Sequence, residues 1–333
     1  MILVTGGTGL VGSHLLFKLT QKGHRVRAIF RNDKKIEAVR HVFSYYTDNV
    51  DAYFSKIEWV EGDITDIPKL TEAFKGITHL YHCAAFISFD PNYYHSLRQI
   101  NIEGTANVVN LCISNNVEKL CYVSSIAAVG NEPSEALITE ESSWNKDEDH
   151  SVYAITKYGA EMEVWRGTQE GLDAVIVNPG VILGAGIWRY GTGSLFKKAH
   201  KGLKHYTYGS IALIAVEDVV EIMIKLMNSS IVNERFVLVA ENWTSKDFLQ
   251  TLAKSVNAKP PKKLASMFLL KIAWRLDWLK HKLTGKRRQL TKHLVQSLST
   301  ETSYNSNKVK ETLNYNFKPI KETILAIGNQ YLK

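Results

Sequence analysis

The first 23 residues combine a buried strand, a glycine-rich turn and an amphipathic helix, and this order limits the chain to few folds. The strand reads "MILVTG" and the helix reads "GSHLLFKLTQKG". Between them, Gly6 permits a tight turn, Gly9 lets a pyrophosphate approach the backbone, and Gly12 lets the helix lie close to the sheet. Leu10 and Val11 open the helix, whose free N–H groups and partial positive charge suit phosphates. The segment predicts a dinucleotide site that follows a parallel strand.

Short apolar runs alternate with helical patterns through the first half of the chain. Six runs are predicted strands that are apolar on both faces: "MILVTG", "RVRAIFR", "IEWVEGD", "THLYHCAA", "KLCYVSSIAAVG" and "DAVIVNPGVILG". Strands of this kind, separated by helices, predict a parallel sheet that is covered on both sides, which is the doubly wound α/β class. A later run, "ERFVLVA", is predicted to return to the same sheet.

The pattern changes in the second half of the chain, which predicts a second, smaller domain. A glycine-rich loop, "GAGIWRYGTGS", precedes two helical patterns, and the last 90 residues are predicted to be mainly helical. We expect a dinucleotide-binding domain at residues 1–180, to which residues 214–240 return. Residues 181–213 and 241–333 are expected to form a mainly helical substrate-binding domain.

Composition excludes several classes of protein. Hydrophobic residues make up 45% and charged residues 22% of the 333 residues, as in ordinary globular proteins. Cys83, Cys112 and Cys121 are an odd number in apolar contexts, which predicts buried thiols in a reducing compartment, with neither a disulfide framework nor a metal site. The chain shows no signal-peptide pattern and no run of about 18 uncharged apolar residues, so a cytoplasmic location is predicted.

Two segments predict which dinucleotide binds. An acid at the end of the second strand would bind the ribose 2′-hydroxyl of NAD, but "AIFRNDKK" has Arg31 there, followed by Lys34 and Lys35. A guanidinium suits a 2′-phosphate, so NADP is predicted, with NAD and a surface role for Arg31 as the alternatives. After the third strand, "EGDITD" sets Asp63 and Ile64 to meet the adenine.

Tyr153 and Lys157 stand four residues apart in "SVYAITKYGAE" and therefore share one helix face. Such a pair alone is usually two surface side chains. A tyrosine with a pKa of about 10 is a poor proton donor or acceptor near neutral pH, and a nearby ammonium lowers that pKa. Upstream, "YVSSIAAVG" ends a buried strand in Ser124 and Ser125, whose hydroxyls need partners. After a nucleotide motif, these residues indicate a proton-transfer site.

In this order the segments resemble the extended short-chain dehydrogenase/reductases, a family that includes nucleotide-sugar epimerases and dehydratases, dihydroflavonol reductases and 3β-hydroxysteroid dehydrogenases. The resemblance covers residues 1–240 through "TGGTGLVG", "GDITD", "HCAA", "NIEGTANV", "VSSIAAVG", "YAITK", "NPGVILG" and "VEDVV". It implies a Rossmann fold in which Tyr153 is the general acid/base. It also implies that Lys157 binds the nicotinamide ribose and lowers the tyrosine pKa, and that Ser125 holds the substrate oxygen. Further cofactor contacts are implied for Ala84, Ala85, Asn101, Ser124 and Pro179, and Ser124 is the alternative to Ser125.

The absence of one arginine and the many aromatic residues in the expected substrate loops predict the class of substrate. Many nucleotide-sugar members of the family carry an arginine that clamps a diphosphate just before the "V-x-D" helix start. The segment "GSIALIAVEDVV" has no arginine there, which leaves Arg189 and Arg235 as alternative candidates. The expected substrate loops are aromatic, which suits an apolar or aromatic carbonyl or alcohol. These aromatic residues are Phe86, Phe89, Tyr93, Tyr94, Trp188, Tyr190, Tyr206 and Tyr208.

Together these observations predict an NADP(H)-dependent oxidoreductase that interconverts a secondary alcohol and a ketone on a small apolar molecule. One alternative is a nucleotide-sugar epimerase or dehydratase with tightly bound NAD. An alternative of another class is a non-catalytic, nucleotide-sensing scaffold. The intact set of Ser125, Tyr153 and Lys157 argues against it, because relatives of that kind commonly lose the tyrosine. The state of assembly is left open, with a homodimer as one alternative.

Residues 264–283, "LASMFLLKIAWRLDWLKHKL", carry an apolar stripe at helical spacing and a cationic face. We expect the stripe to pack on the substrate domain and to roof the cleft, and an interfacial helix at an anionic membrane is the alternative. No recognition motif accompanies the net charge of +8, so nucleic acid is not an expected partner. The stripe comprises Leu264, Phe268, Ile272, Leu276, Leu279 and Leu283, the cationic face comprises Lys271, Arg275, Lys280, His281 and Lys282, and Trp274 and Trp278 lie near the boundary.

Overall fold

The computed structural model describes residues 1–130, 137–285, 288 and 290–333. Its strands are β1 (Ile2–Thr5), β2 (Val26–Phe30), β3 (Ile57–Glu61), β4 (His79–His82), β5 (Lys119–Val123), β6 (Ala174–Pro179), β7 (Val181–Leu183), β8 (His205–Tyr206), β9 (Ser210–Ala215), β10 (Glu234–Leu238), β11 (Glu241–Thr244) and β12 (Lys263–Leu264). Its α-helices are α1 (Leu10–Gln21), α2 (Lys34–Ser44), α3 (Val50–Phe54), α4 (Ile67–Ala73), α5 (Tyr94–Leu97), α6 (Gly104–Ser114), α7 (Val152–Gln169), α8 (Gly193–His200), α9 (Val216–Met227), α10 (Ser245–Ser255), α11 (Met267–Thr284), α12 (Lys292–Ser297), α13 (Asn307–Leu313) and α14 (Ile320–Leu332).

Seven parallel strands form the central sheet, in the order β10-β6-β5-β4-β1-β2-β3. The predicted doubly wound parallel sheet is confirmed, and the run "ERFVLVA" does return to it as β10. The strand order changes direction between β1 and β4. In sheets of this class, ligands bind in the crevice at the carboxyl ends of the strands where this change occurs.

Helices cover both faces of the sheet, which explains why its strands are apolar on both sides. One core contains Leu15 and Leu16 of α1 and Val219 of α9, all without solvent exposure. The other core contains Val108 of α6 and Val164 of α7, which are also fully buried. Burial on both sides fixes the carboxyl ends of β1, β4 and β5 relative to one another.

The single strand predicted for "DAVIVNPGVILG" is wrong, because the chain divides it at Gly180. Residues before this glycine form β6 of the main sheet, and those after it form β7 of a second sheet ordered β11-β9-β7. A Cβ at position 180 would lie 2.6 Å from the Ala212 carbonyl oxygen, so glycine is what lets β9 approach. The segment "SIALIA", considered in the sequence only for its missing arginine, is β9 itself.

Beyond β10 the chain is mainly helical, as predicted, and it has a core of its own. Phe248 and Leu252 of α10 and Ile320 and Ile324 of α14 are at most 2% exposed in this core. The boundaries of the two domains stay a prediction. Cys83, Cys112 and Cys121 are free thiols, and the reducing, cytoplasmic compartment that they suggest also stays a prediction.

The packing expected of residues 264–283 is wrong. Most of the stripe lies on α11, and all six of its residues are exposed to solvent instead of roofing the cleft, with Phe268 at 74% and Leu283 at 77%. Among the side chains of α11, only Leu270 is buried. An amphipathic pattern defines an apolar face but does not define what covers it.

Candidate functional site

The glycine turn between β1 and α1 has the geometry of a phosphate cradle. Gly6 has a φ of +68°, and a Cβ there would lie 2.6 Å from the Ala84 amide nitrogen. A Cβ on Gly12 would collide with the Gly6 carbonyl oxygen. The helix begins at Leu10, followed by Val11, and among the described residues no side chain caps it. Its first N–H groups are therefore free to bind an anion, as the sequence predicts.

A cavity of about 160 Å³ opens beside this turn, between the ends of β1 and β4. The structure brings seven of the fifteen predicted cofactor residues to its walls. Those that line it are Gly6, Gly9, Arg31, Asp63, Ile64, Ala84 and Ala85. Lys35 and Cys83 line it as well, and burial raises the pKa of the Cys83 thiol to about 12, so this cysteine stays protonated at neutral pH.

Arg31 and Asp63 contact each other at the rim of the cavity, which their separate sequence motifs did not predict. The guanidinium lies 3.2 Å from the second carboxylate oxygen, and both side chains are partly exposed. The first carboxylate oxygen accepts hydrogen bonds from the Thr65 amide and hydroxyl. These partners hold the pKa of Asp63 below its usual value against the opposing effect of burial. Arg31 is thus held at the cavity by an anchored carboxylate.

Tyr153 lies in the first turn of α7, which Ser151 caps by accepting a hydrogen bond from the Ala154 amide. Its side chain is only 9% exposed. Burial raises the pKa of the phenol to about 12, and the nearby Ser125 hydroxyl opposes that rise. Ser125 begins the 3₁₀ turn Ile126–Ala128 directly after β5. The structure therefore brings Ser125 and Tyr153 together.

Lys157 lies one turn further along α7 and is 1% exposed. Its ammonium donates to the Tyr122 hydroxyl at 2.8 Å and to the Val123 carbonyl oxygen at 2.9 Å. Burial lowers the pKa of Lys157 to about 7, and the negative charge of Glu161 opposes this shift. The expected effect of this lysine on the Tyr153 pKa stays a prediction, because the desolvation of the phenol is the largest influence on that pKa here.

The depressed pKa of Lys157 makes a testable contribution to stability. In the unfolded chain this lysine keeps its proton up to about pH 10.4, whereas in the folded chain it releases it near pH 7. Between these values the unfolded state binds more protons, so the contribution of Lys157 to stability increases as the pH rises. Urea denaturation at pH 7 and at pH 9.5 measures how the free energy of unfolding changes with pH. Between these values that free energy should rise less, or fall more, in Lys157→Met than in the native chain. Equal changes in both proteins would contradict the shift.

A buried carboxylate, Glu161, is the main site residue that sequence analysis missed. It is fully buried and accepts hydrogen bonds from the Ser124 hydroxyl at 2.6 Å and the Asn178 amide at 2.8 Å, and its other oxygen lies 3.3 Å from Arg235. The Ser124 hydroxyl donates its proton within this network, and its predicted contact with the cofactor or substrate stays a prediction. Arg235 also donates to the Glu140 carbonyl, so it is not available to clamp a diphosphate.

Asn101 links three segments around the cleft. It lies in a single π-helical turn, Arg98–Glu103, of the kind found often at functional sites. Its amide donates to the Phe86 carbonyl and the Thr156 hydroxyl, and its oxygen accepts from the Phe86 amide at 2.7 Å. Asn101 therefore ties the segment after β4 to α7, and its predicted contact with the cofactor stays a prediction. Pro179 is the last residue of β6, and its role is likewise still a prediction.

A second buried side chain that the sequence analysis did not single out is His82, at the end of β4. Its ring hydrogen-bonds to Thr5 at 2.6 Å and Thr105 at 3.0 Å, and it stacks on Tyr122 at 5.3 Å between ring centroids. Burial lowers the pKa of His82 to about 3, so the ring is neutral. It positions Tyr122, the hydroxyl of which accepts the hydrogen bond from Lys157.

The aromatic residues of the predicted substrate loops do not gather at one place. Phe89 contacts the Tyr153 ring edge to face, with centroids 5.4 Å apart, and so lines the site. Trp188 instead packs on Phe196 in the C-terminal core. Tyr190 is 65% exposed. The remaining contacts are Phe86 with Tyr93, and Lys246 over Tyr206, while Tyr94 and Tyr208 are exposed.

The motifs around this site match a family of known proteins. The model of the NAD dependent epimerase/dehydratase family matches residues 2–239. The chain belongs to this family. The resemblance inferred from the sequence is thereby confirmed, and the members of this group of extended short-chain dehydrogenase/reductases are NAD(P)-dependent oxidoreductases and epimerases.

Several curated proteins are similar to this chain over most of its length. "Sterol demethylase protein B" of Methylococcus capsulatus is 28% identical over 279 residues, covering 81% of this chain and 80% of its own. "Putative dihydroflavonol 4-reductase" of Synechocystis is 26% identical over 328 residues, which cover 96% of this chain and 91% of the relative. "3 beta-hydroxysteroid dehydrogenase/Delta 5-->4-isomerase" of Mycobacterium tuberculosis is 29% identical over 203 residues, covering 59% and 50%.

Two solved structures share the whole fold. The crystal structure of gox2253 superposes with a TM-score of 0.80 at 25% identity and covers 99% of this chain and 98% of its own. The UDP-glucose 4-epimerase of Thermotoga maritima, solved with UDP-glucose, superposes with a TM-score of 0.74 at 19% identity, covering 99% and 98%. At this identity the second likeness concerns the fold alone.

Proposed function

We propose that the protein is an NADP(H)-dependent oxidoreductase that interconverts a secondary alcohol and a ketone, or reduces a carbonyl, on an apolar or aromatic small molecule. The Ser125 and Tyr153 hydroxyls carry this proposal, because the turn after β5 packs against α7 and sets the two residues together at the end of a dinucleotide crevice. The Phe89 ring beside them supplies an apolar wall. The names of the reductase relatives support the same reaction class.

The residues present fit a dinucleotide. The glycine turn leaves room that a Cβ would fill, the start of α1 offers free N–H groups for the diphosphate, and the cavity beside it suits the adenosine end. Lys157 has three donors, of which two bind Tyr122 and Val123 in the described structure. The third is available for a ribose hydroxyl.

In the direction of reduction, the chain itself handles the proton. A nicotinamide cofactor, when bound, would supply the hydride. The Ser125 hydroxyl donates to the substrate oxygen and holds it, while Tyr153 transfers its phenolic proton to that oxygen, which completes the alcohol. The protonated form of Lys157, one turn away, stabilises the resulting phenolate. The high pKa of Tyr153 keeps the phenol protonated at neutral pH before the reaction.

A screen of carbonyl compounds, followed by NADPH absorbance, tests the proposed reaction. We expect net oxidation of NADPH with apolar or aromatic ketones or aldehydes. The competing candidate is a nucleotide-sugar epimerase or dehydratase, a reaction that returns the hydride to its substrate. Cofactor retained through purification, together with conversion of UDP-sugars and no net NADPH oxidation, would overturn the proposal in favour of that candidate.

The preference for NADP is proposed from the two cations, Arg31 and Lys35, that line the cavity. A hydrogen bond to a charged group contributes about 1.5–3 kcal/mol, so NADPH should bind at least about ten-fold more tightly than NADH. Fluorescence titration should show this preference shrinking in Arg31→Ala. Arg25→Ala, at the opposite end of β2, is the matched control and should leave it unchanged. Equal affinities of the native chain for the two cofactors would exclude the role of Arg31.

A further inference from the structure

Helix α11 exposes one continuous apolar face. Nine of the twenty large hydrophobic side chains that are exposed in the described part of the chain lie between residues 264 and 283. Phe268, Leu276 and Leu283 are 74%, 59% and 77% exposed. An apolar patch of this concentration on a globular protein usually marks a surface that is covered by a partner or a membrane.

The opposite side of α11 is the one that holds it to the protein. Leu270 is buried and packs near Val295, and Trp274 packs on the same small cluster. Asp277 accepts a hydrogen bond from the Leu290 amide at 3.1 Å. At 100° per residue, these anchoring positions lie across the helix from the exposed residues. The apolar face therefore points outward because the anchoring contacts fix the rotation of the helix.

Basic residues flank the apolar face on both edges. Helical geometry sets Lys271, Arg275 and Lys282 along one edge and Lys280 along the other, and all four are exposed. Two of the cations lie over tryptophan rings, Arg275 over Trp274 at 4.9 Å and Lys282 over Trp278 at 4.6 Å. The cationic face predicted from the sequence is thus divided into two basic rows, one of three residues and one of Lys280 alone. His281 belongs to neither row because it contacts Asn92.

The anchored side of α11 also reaches the segment that borders the active site. The His281 ring lies 3.3 Å from the Asn92 amide, and the Arg288 backbone amide donates to the Asp90 carboxylate at 3.3 Å. Phe89, next to Asp90, contacts Tyr153. The anchored side of α11 and the mouth of the site are therefore connected by a few residues in direct contact.

We propose that α11 lies in the interface of an anionic lipid bilayer, with its apolar face among the acyl chains and its basic rows at the phosphates. An apolar face with lysine, arginine and tryptophan at its edges is the composition of an interfacial helix. Within the described ranges, no helix combines the length and low charge that crossing a bilayer requires. The inference does not rest on which reaction the site performs.

A second copy of the chain fits this face less well. A two-fold contact sets the same patch against itself, so the basic rows of two copies would lie opposite each other. Like charges brought together in this way oppose association. Anionic lipids instead neutralise both rows at once, and the net charge of +8 adds a longer-range attraction to such a surface.

Co-sedimentation of the full chain with vesicles tests the proposal. We expect the protein to pellet with phosphatidylcholine–phosphatidylglycerol vesicles at low ionic strength, to pellet much less with phosphatidylcholine alone, and to be released as salt is added. In the double variant Phe268→Glu/Leu276→Glu, the partition coefficient should fall at least about ten-fold. The control Leu325→Glu/Leu332→Glu changes two exposed leucines on α14 and should bind as the native chain does.

A second pair of variants separates the charges from the apolar face. Lys271→Gln/Lys280→Gln should weaken binding to anionic vesicles, whereas Lys254→Gln/Lys321→Gln removes the same charge from α10 and α14 and should have little effect. Circular dichroism of each variant verifies its folding, which these exposed positions are expected to preserve. Native protein that stays in the supernatant with anionic vesicles at low salt overturns the proposal. So does a dimer, detected by light scattering, that Phe268→Glu/Leu276→Glu converts to a monomer.

Discussion

Replacing Tyr153 by Phe is expected to lower turnover by at least about 100-fold while leaving cofactor affinity nearly unchanged. The variant keeps the ring, and therefore the edge-to-face contact with Phe89, but it removes the hydroxyl that lies near Ser125. Removing an interaction that is made only in the transition state lowers the turnover number. Removing one that is equally strong in the bound substrate and in the transition state changes only the Michaelis constant. Steady-state kinetics on a substrate found in the NADPH screen, with cofactor titration by fluorescence, measures both.

The matched control is Tyr158→Phe, one turn and a residue further along the same helix. The ring of Tyr158 stacks on Trp144 at 4.4 Å, and its hydroxyl plays no part in the proposed reaction. This variant should keep turnover within about two-fold of the native chain, because a surface substitution away from the site has little effect. Turnover near the native value in Tyr153→Phe would refute the assignment of Tyr153 as the proton donor.

Replacing Glu161 by Ala should lower the free energy of unfolding by about 3–5 kcal/mol, the usual cost of removing one partner from a buried ion pair. Glu161 is fully buried, and its loss would leave Arg235, Ser124 and Asn178 without their acceptor. Urea denaturation monitored by tryptophan fluorescence measures the change. Glu161→Gln retains an acceptor for Ser124 and Asn178, so its loss should be smaller than that of the alanine variant.

Glu163→Ala provides the control for charge and helix position. Glu163 lies on the same helix and pairs with Arg166 at 2.9 Å, but that pair is partly exposed on both sides. Exposed pairs contribute about 0–1 kcal/mol, so this variant should unfold close to the native midpoint. Equal losses in Glu161→Ala and Glu163→Ala would mean that the buried network does not stabilise the fold.

The sequence by itself determined the central sheet and the nucleotide end of the site. A glycine at position 6 that needs a positive φ, and another at position 12 that admits no Cβ, are local requirements that can be recognised without knowledge of the rest of the chain. Apolar runs separated by helical patterns likewise predicted that the sheet is parallel. The division of one predicted strand at Gly180 was not predictable, because it depends on the approach of β9 from 30 residues away.

Only the tertiary structure decided how neighbouring residues divide their roles. Ser124 and Ser125 look alike in the sequence, yet one hydroxyl donates to Glu161 and the other lies near Tyr153, because successive residues leaving a strand point to opposite sides. The pKa values of Tyr153 and Lys157 depend on burial by many distant residues. The spacing of the two residues therefore predicted a proton-transfer pair but not the protonation state of either side chain. In α11 the pattern determined an apolar face, and the contacts of Leu270 with distant elements turned that face outward.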